Sequence, residues 1–264
     1  MRLPAVPGSR TALVVAHPGH ELRVHGWLEL ARPTVFVLTD GSGRSGRSRL
    51  GSTTQVLARV GAEPGSIYGV LTDLMLYSAV LKGDFDLFVG LAEQLADAMV
   101  RNRIEYVVSD AAEGTIMAHD VCRLVVNAAV EIANQSIDHR VATFDFLVMS
   151  RPDQCPKALR GSSTCLHLDD EAFARKLEAA RNYAEVADEA KASLEQFGIE
   201  AFRVEWFRPI AGRAECPGLT EEPPAYERHG EGQVSAGHYE QVIRYRQHVL
   251  PLAEALWRFT GRTG

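Results

Sequence analysis

The sequence has no paired cysteines, no surplus of positive charge and no long apolar run, and each absence removes a class of protein. Cys122, Cys155, Cys165 and Cys216 lie far apart, with no Cys-x-x-Cys pair among them. That argues against a disulfide framework. Together with the lack of a signal-peptide pattern, it predicts reduced thiols and a cytoplasmic location. The net charge of -6 gives no general reason to expect a nucleic-acid partner. No apolar stretch approaches the length of a membrane span, so no membrane partner is expected either. There is no Gly-x-Ser-x-Gly, which removes the usual evidence for a serine hydrolase. Aromatics make up only 8%, and Trp206 and Trp257 read as core or interface rather than as part of a cofactor box.

What is present suits one α/β domain. A chain of 264 residues that is 46% hydrophobic can bury a sizeable core as a single unit. Strand patterns at Thr11–Ala16, Val35–Thr39, Ser66–Val70, Ile104–Ser109 and Val141–Val148 alternate with helical patterns. The helices are expected at Glu21–Ala31, Ser52–Val60, Leu87–Arg101 and His119–Asn134. Such alternation predicts a Rossmann-like, mostly parallel sheet with helices on both faces. The expected organisation is a lead-in over residues 1–10, a core sheet over 11–150 and C-terminal additions over 151–264. In that last part the sequence predicts a helix from Asp169 to about Phe197 and a late strand at Phe202–Pro209. A long loop is expected at Gly212–Gly232, then a helix from about Gly237 to Phe259.

Two segments carry chemistry. Val14-Val15-Ala16-His17-Pro18-Gly19-His20-Glu21 is an apolar strand that runs into two histidines at the mouth of a helix. Ligands of open α/β sheets sit at the carboxyl ends of strands, and the i, i+3 spacing can aim both imidazoles at one point. The bland reading is a polar turn in which the histidines cap backbone groups. The second segment follows the strand ending at Ser109 and contains Asp110, Glu113, His119 and Asp120. His119 would complete a three-histidine site that leaves one metal position open, as catalytic zinc requires. Iron, nickel or copper also suit imidazole.

At these residues the chain resembles the PIG-L/LmbE-like superfamily of zinc-dependent deacetylases of N-acetylglucosaminyl and related N-acyl substrates. Ala16-His17-Pro18-Gly19-His20-Glu21 is similar to that family's Ala-His-Pro-Asp-Asp-Glu, and Leu38-Thr39-Asp40-Gly41 to its second strand end. Its later His-Pro-Asp-His falls on Ile116-Met117-Ala118-His119. The resemblance implies zinc ligands at His17, His20 and His119, with histidine replacing aspartate at the middle position. It also implies that the general base has become Gly19, that a substrate-polarising histidine has become Ile116, and that its orienting aspartate has become Ala118. Glu21 and Asp120 are then expected to orient the ligands from behind.

A carboxylate within reach of a metal-activated water can serve as a replacement base. Asp110, Glu113 and Asp40 are the candidates, each with a duller alternative as a turn- or loop-holding residue. Arg44 and Arg49, with Arg47, sit in a Ser/Gly loop and suit a phosphate or carboxylate. His238 is a remote candidate for an acid that closes over the site. The leading expectation is a divergent metal-dependent hydrolase acting on the N-acyl or amide group of a small sugar-like or secondary-metabolite substrate. The alternative is a family member that has left deacetylation, binding a ligand without turnover or using a three-histidine metal for other chemistry. A small-molecule substrate is the expected partner, and self-association is left open.

Overall fold

The computed structural model describes residues 9–137, 139–210 and 223–261, with Arg44 described by its backbone alone. These residues form a seven-stranded sheet in the order β3-β2-β1-β4-β5-β7-β6. Five strands are parallel: β1 (Thr11–Val15), β2 (Thr34–Thr39), β3 (Glu63–Leu71), β4 (Tyr106–Asp110) and β5 (Ala142–Phe146). The last two, β6 (Thr164–His167) and β7 (Val204–Pro209), extend one edge in antiparallel sense. β1 shows why the sheet is covered on both sides. Ala12, Val14 and Ala16 join one apolar cluster while Leu13 and Val15 join the other, all fully buried. Successive strand side chains point to opposite faces, so a strand buried on both faces reads as a continuous apolar run.

One face is covered by α3 (Asp73–Lys82), α4 (Phe85–Arg101), α5 (Met117–Ser136) and α9 (Leu250–Thr260). The other carries α1 (His25–Ala31), α2 (Leu50–Val60) and the end of α6 (Asp170–Asn182). A 3₁₀ turn, His20–Val24, leads into α1. The expected fold class is therefore what the chain adopts. Sheet order runs outward from β1 in both directions, which places the topological switch between β1 and β4. In open α/β sheets that switch point is where ligands sit.

Five elements differ from the sequence reading, the first being β6, a four-residue edge strand that was not expected. α3 was not expected, although Thr72 caps it by accepting the Met75 N–H and Gly83 closes it in the left-handed conformation. The helix expected from Asp169 to Phe197 breaks into α6 and α7 (Ala187–Phe197), separated by a bend at Tyr183–Val186. No proline or glycine marks that bend. Buried Tyr183 fixes it by hydrogen-bonding Thr53 Oγ1 at 2.8 Å and donating to the Arg49 carbonyl at 3.1 Å. The expected Gly212–Gly232 loop overlaps α8 (Ala225–Ser235), and its residues 212–222 lie outside the described part. The final helix begins at Leu250 after a π turn at Tyr245–Val249, later than Gly237. Pro251 accounts for this, because proline is accepted in a helix's first turn and not in its interior.

Candidate metal centre

The chain leaves β1 at Ala16, and three hydrogen bonds from two neighbours hold that exit. Ala16 N–H donates to Asp110 Oδ2 at the end of β4 (2.8 Å). The Ala16 carbonyl accepts from both Thr39 N–H (2.9 Å) and Thr39 Oγ1 (3.0 Å) at the end of β2. His17 and His20 follow at once, and the N-terminal turn of α5 brings in His119. Ring centres lie 5.3 Å apart for His17 and His20, 5.4 Å for His17 and His119, and 4.5 Å for His20 and His119. Imidazoles sharing a tetrahedral zinc, with nitrogens about 2.0–2.1 Å from it, place their ring centres roughly 5 Å apart.

Each ring has a distinct environment. His17 Nδ1 meets Asp73 Oδ1 at 3.0 Å and Thr39 Oγ1 at 2.8 Å, while His20 Nδ1 meets Asp110 Oδ2 at 2.9 Å. A carboxylate only accepts, so the proton belongs on Nδ1 and the lone pair of the neutral ring on Nε2. Carboxylates behind histidines in this way are how metal ligands are oriented. His119 is fully buried and neither of its nitrogens has a hydrogen-bond partner. Burial, reinforced by the neighbouring His20 and His17 and by Arg23, holds its pKa well below the usual histidine range. A neutral imidazole is the form that binds metal. Among the described residues, no three histidine, cysteine, aspartate or glutamate side chains stand ready-made around a metal position. The rings converge, but their donor atoms do not by themselves make a closed coordination set. The two unpartnered nitrogens of His119, which face His17 and His20, are the feature that fits a metal.

The three candidate bases are all engaged. Asp110, fully buried, holds Ala16 and His20. Glu113 accepts backbone N–H groups from Val148 (2.7 Å), Met149 (2.9 Å) and Ser150 (2.8 Å), so it anchors the loop after β5. Asp40 shapes its own turn, accepting Ser42 N–H at 3.0 Å. Glu21 accepts Gly19 N–H at 2.8 Å and so holds the histidine turn rather than a ring. Its pKa is pushed up to about 7 by burial, against the pull of hydrogen bonds that include Thr53 and Gly19. Asp120 accepts Glu113 and Gly114 N–H groups, and burial raises it to about 7 as well. His238 is exposed beyond α8 and is not on the cavity wall. Arg49 reaches the wall but is paired with Glu189 at 3.1 Å. The Arg44 side chain lies outside the described residues.

Two residues on the wall were missed from sequence. Asp73, the first residue of α3, holds His17 and also accepts Gly43 N–H at 2.6 Å. Burial would raise it, yet hydrogen bonding and charge from His17, with Thr39 and Gly43, keep it well below the carboxylate range. Thr72-Asp73 ahead of an apolar run was the available signal, being a helix-start pattern. Arg23 lies at the cavity over the Phe202 ring, 5.1 Å from its centre, with Nη1 buried and without a partner. Burial lowers its pKa to about 10. Nothing in its sequence context distinguishes it from a solvated arginine on a helix.

The loop after β2 has another property. Gly41-Ser42-Gly43-Arg44-Ser45-Gly46 has the Gly-x-Gly-x-x-Gly spacing, which the reading of a Ser/Gly arginine loop passed over. In a dinucleotide site such amides face a pyrophosphate at a helix start. Here Gly41 N–H donates to Thr39 Oγ1, Gly43 N–H to Asp73 and Gly46 N–H to the Ser42 carbonyl. α2 begins only at Leu50. The amides are occupied internally, so the spacing does not make a phosphate cradle.

No family model matches the sequence, and no curated relative matches it. Solved structures do. The A40926 pseudoaglycone deacetylase Dbv21 matches over 78% of this chain and 99% of its own, with a TM-score of 0.56 at 20% identity. The zinc-inhibited form of the teicoplanin deacetylase Orf2 matches over 76% and 97%, with a TM-score of 0.54 at 14% identity. The conserved protein TT1542 from Thermus thermophilus matches over 76% and 94%, with a TM-score of 0.52 at 18% identity. The chain shares the fold of these structures. Identities this low establish the architecture and leave the chemistry to the residues. Among the described residues no helix is long and apolar enough to cross a membrane.

Within this fold Gly19 has a backbone role. Its φ is +104°, and a Cβ there would lie 3.3 Å from Val186 Cγ1. Gly19→Ala is expected to cost about 1–2 kcal/mol, because an L side chain is strained in that region. Gly19→Asp should be at least as costly and should not install a working base. Thermal unfolding of the two variants checks this, and a Gly19→Ala protein as stable as the parent would refute it.

Proposed function

We propose that the protein is a divergent metal-dependent hydrolase of an N-acyl or amide group on a small-molecule substrate, with His17, His20 and His119 holding a divalent cation. The observation that carries this is His119, buried with both nitrogens unpartnered and facing two histidines whose outer nitrogens are already held by carboxylates. Zinc fits the donor set best, and iron, nickel and copper remain chemically compatible. Such a cation supplies Lewis acidity toward an amide carbonyl and lowers the pKa of water. The deacetylase names of the structural neighbours accord with this reaction class. The chain's own residues have positioning tasks: Asp73 and Asp110 fix two rings, and Arg23 offers its free Nη1 to a carbonyl oxygen or hydroxyl of the substrate.

The acids on the cavity wall, Asp73 and Glu189, are both engaged, and the expected bases Asp40, Asp110 and Glu113 do not line it. Simple N-acetyl sugars are therefore expected to turn over slowly, since loss of a general base commonly costs about 10²–10⁴-fold. The same observation supports the second reading, a three-histidine metal used for other chemistry. Asp73→Asn and Asp110→Asn test the shared premise. Each should weaken metal affinity by about 10–100-fold, as loss of an orienting carboxylate does. Competition with a chromogenic chelator reads this directly, and unchanged affinity in both variants would remove the site.

A further inference from the structure

The cavity at the three histidines combines polar side chains with a continuous run of apolar ones. It encloses about 460 Å³, within the range of small-molecule sites. Asp73 lies beside His17 on the cavity lining, and Arg49 is there too, paired with Glu189 of α7. To the cavity wall α6 and α7 with the bend between them contribute Leu177, Ala180, Val186, Ala190 and Leu194, continued by Phe202, with the polar Lys176, Glu189, Ser193 and Gln196 among them. Arg23, in the turn that begins at His20, stacks on Phe202 with Nη1 free. A mostly apolar pocket with a few directed polar groups orients an amphipathic ligand.

We infer that the substrate carries a medium-length N-acyl chain, which lies along the α6–α7 wall with its carbonyl end between Arg23 and the three histidines. This rests on the hydrolase reading above and goes beyond it by naming which half of the amide is apolar. The order of surfaces decides between acyl chain and apolar aglycone. In an N-acetyl sugar with an apolar aglycone, a polar ring separates the amide from the apolar part. Here the wall begins at the histidine turn itself, because Val186 packs against Gly19, the residue before His20. Hydrolysis breaks the C–N bond; the water oxygen joins the acyl carbon and a water proton goes to the amine nitrogen. The released fatty carboxylate then faces Arg23.

Calorimetric titration of the purified protein with butanoate, hexanoate, octanoate and decanoate tests the binding claim without turnover. Affinity should rise about threefold to fourfold per added methylene until the cavity is full. Ala190→Trp should move that plateau to a shorter chain, and Arg23→Gln should weaken every acid by about tenfold or more while keeping the slope. Circular dichroism confirms that both variants fold. A flat series, no binding of any acid, or octyl glucoside binding as tightly as octanoate overturns the inference. Release of octanoate from N-octanoylglucosamine is read separately by mass spectrometry. A steep acid series without release leaves the chain site standing and removes the hydrolase reading. Release of acetate from N-acetylglucosamine beside a flat acid series does the reverse.

Discussion

His119→Ala should abolish stoichiometric metal binding, a larger loss than the roughly 10–100-fold expected from either orienting carboxylate. His119 makes no hydrogen bond through either ring nitrogen although the ring is buried, so its removal breaks no polar contact within the chain. Most buried polar side chains have a partner. The stability readout separates the two roles. A bound cation stabilises the native state by mass action, about 2.7 kcal/mol at a hundredfold excess over Kd. Chelator should therefore lower the Tm of the parent protein and leave that of His119→Ala unchanged. Elemental analysis of protein prepared without chelator completes the test. Metal-free parent protein that also fails to take up zinc, iron, nickel or copper on titration would defeat both functional readings together.

Glu205→Leu should be the most destabilising single change outside the histidine site. Glu205 on β7 is almost fully buried, and its two oxygens accept three hydrogen bonds: Gly26 N–H (2.9 Å), Trp27 N–H (2.9 Å) and Lys176 Nζ (2.8 Å). It ties the first turn of α1 and the middle of α6 to the antiparallel edge of the sheet. Its loss leaves the Lys176 ammonium buried, with the Arg23 carbonyl as its remaining recorded acceptor. Breaking a buried pair by removing one partner costs about 3–5 kcal/mol. In a domain of this size that lowers Tm by roughly 6–20 °C. Glu205→Leu combined with Lys176→Met should recover much of the loss, because the isolated charge is then gone. Burial already lowers the pKa of Lys176, and a neutral amine is cheaper to bury. The deficit of Glu205→Leu should therefore shrink as pH rises toward the lysine range. Denaturant titration of the three variants measures all of this, and a deficit below about 1 kcal/mol would place the pair among exposed salt bridges.

Three histidines and a parallel sheet were legible from residue order because both are local or periodic properties. The apolar run before His17 defines a strand, a strand end in an open sheet defines where ligands sit, and the helix start at Met117 carries His119 to the same edge. What those histidines lean on was not legible. Asp73 and Asp110 are 56 and 90 residues from the rings they hold, and no spacing rule connects them. The candidate bases show the limit most clearly. Asp110, Glu113 and Asp40 follow strand ends as a base should, yet the direction of each side chain is set by whichever unsatisfied backbone N–H or imidazole lies nearest.

The sequence by itself determined the layer order, the two-sided burial of β1 and the convergence of His17, His20 and His119, since alternation and strand-end position survive any detail of packing. Tertiary structure alone decided the break between α6 and α7. Its cause is the hydroxyl of Tyr183 reaching Thr53, 130 residues away, in a segment whose helical period is unbroken. That bend turns Val186 onto Gly19 and makes the apolar wall of the cavity. The wall belongs to a part of the chain remote from the histidines and meets them only because buried hydrogen bonds, which sequence periodicity does not record, fix where a helix stops.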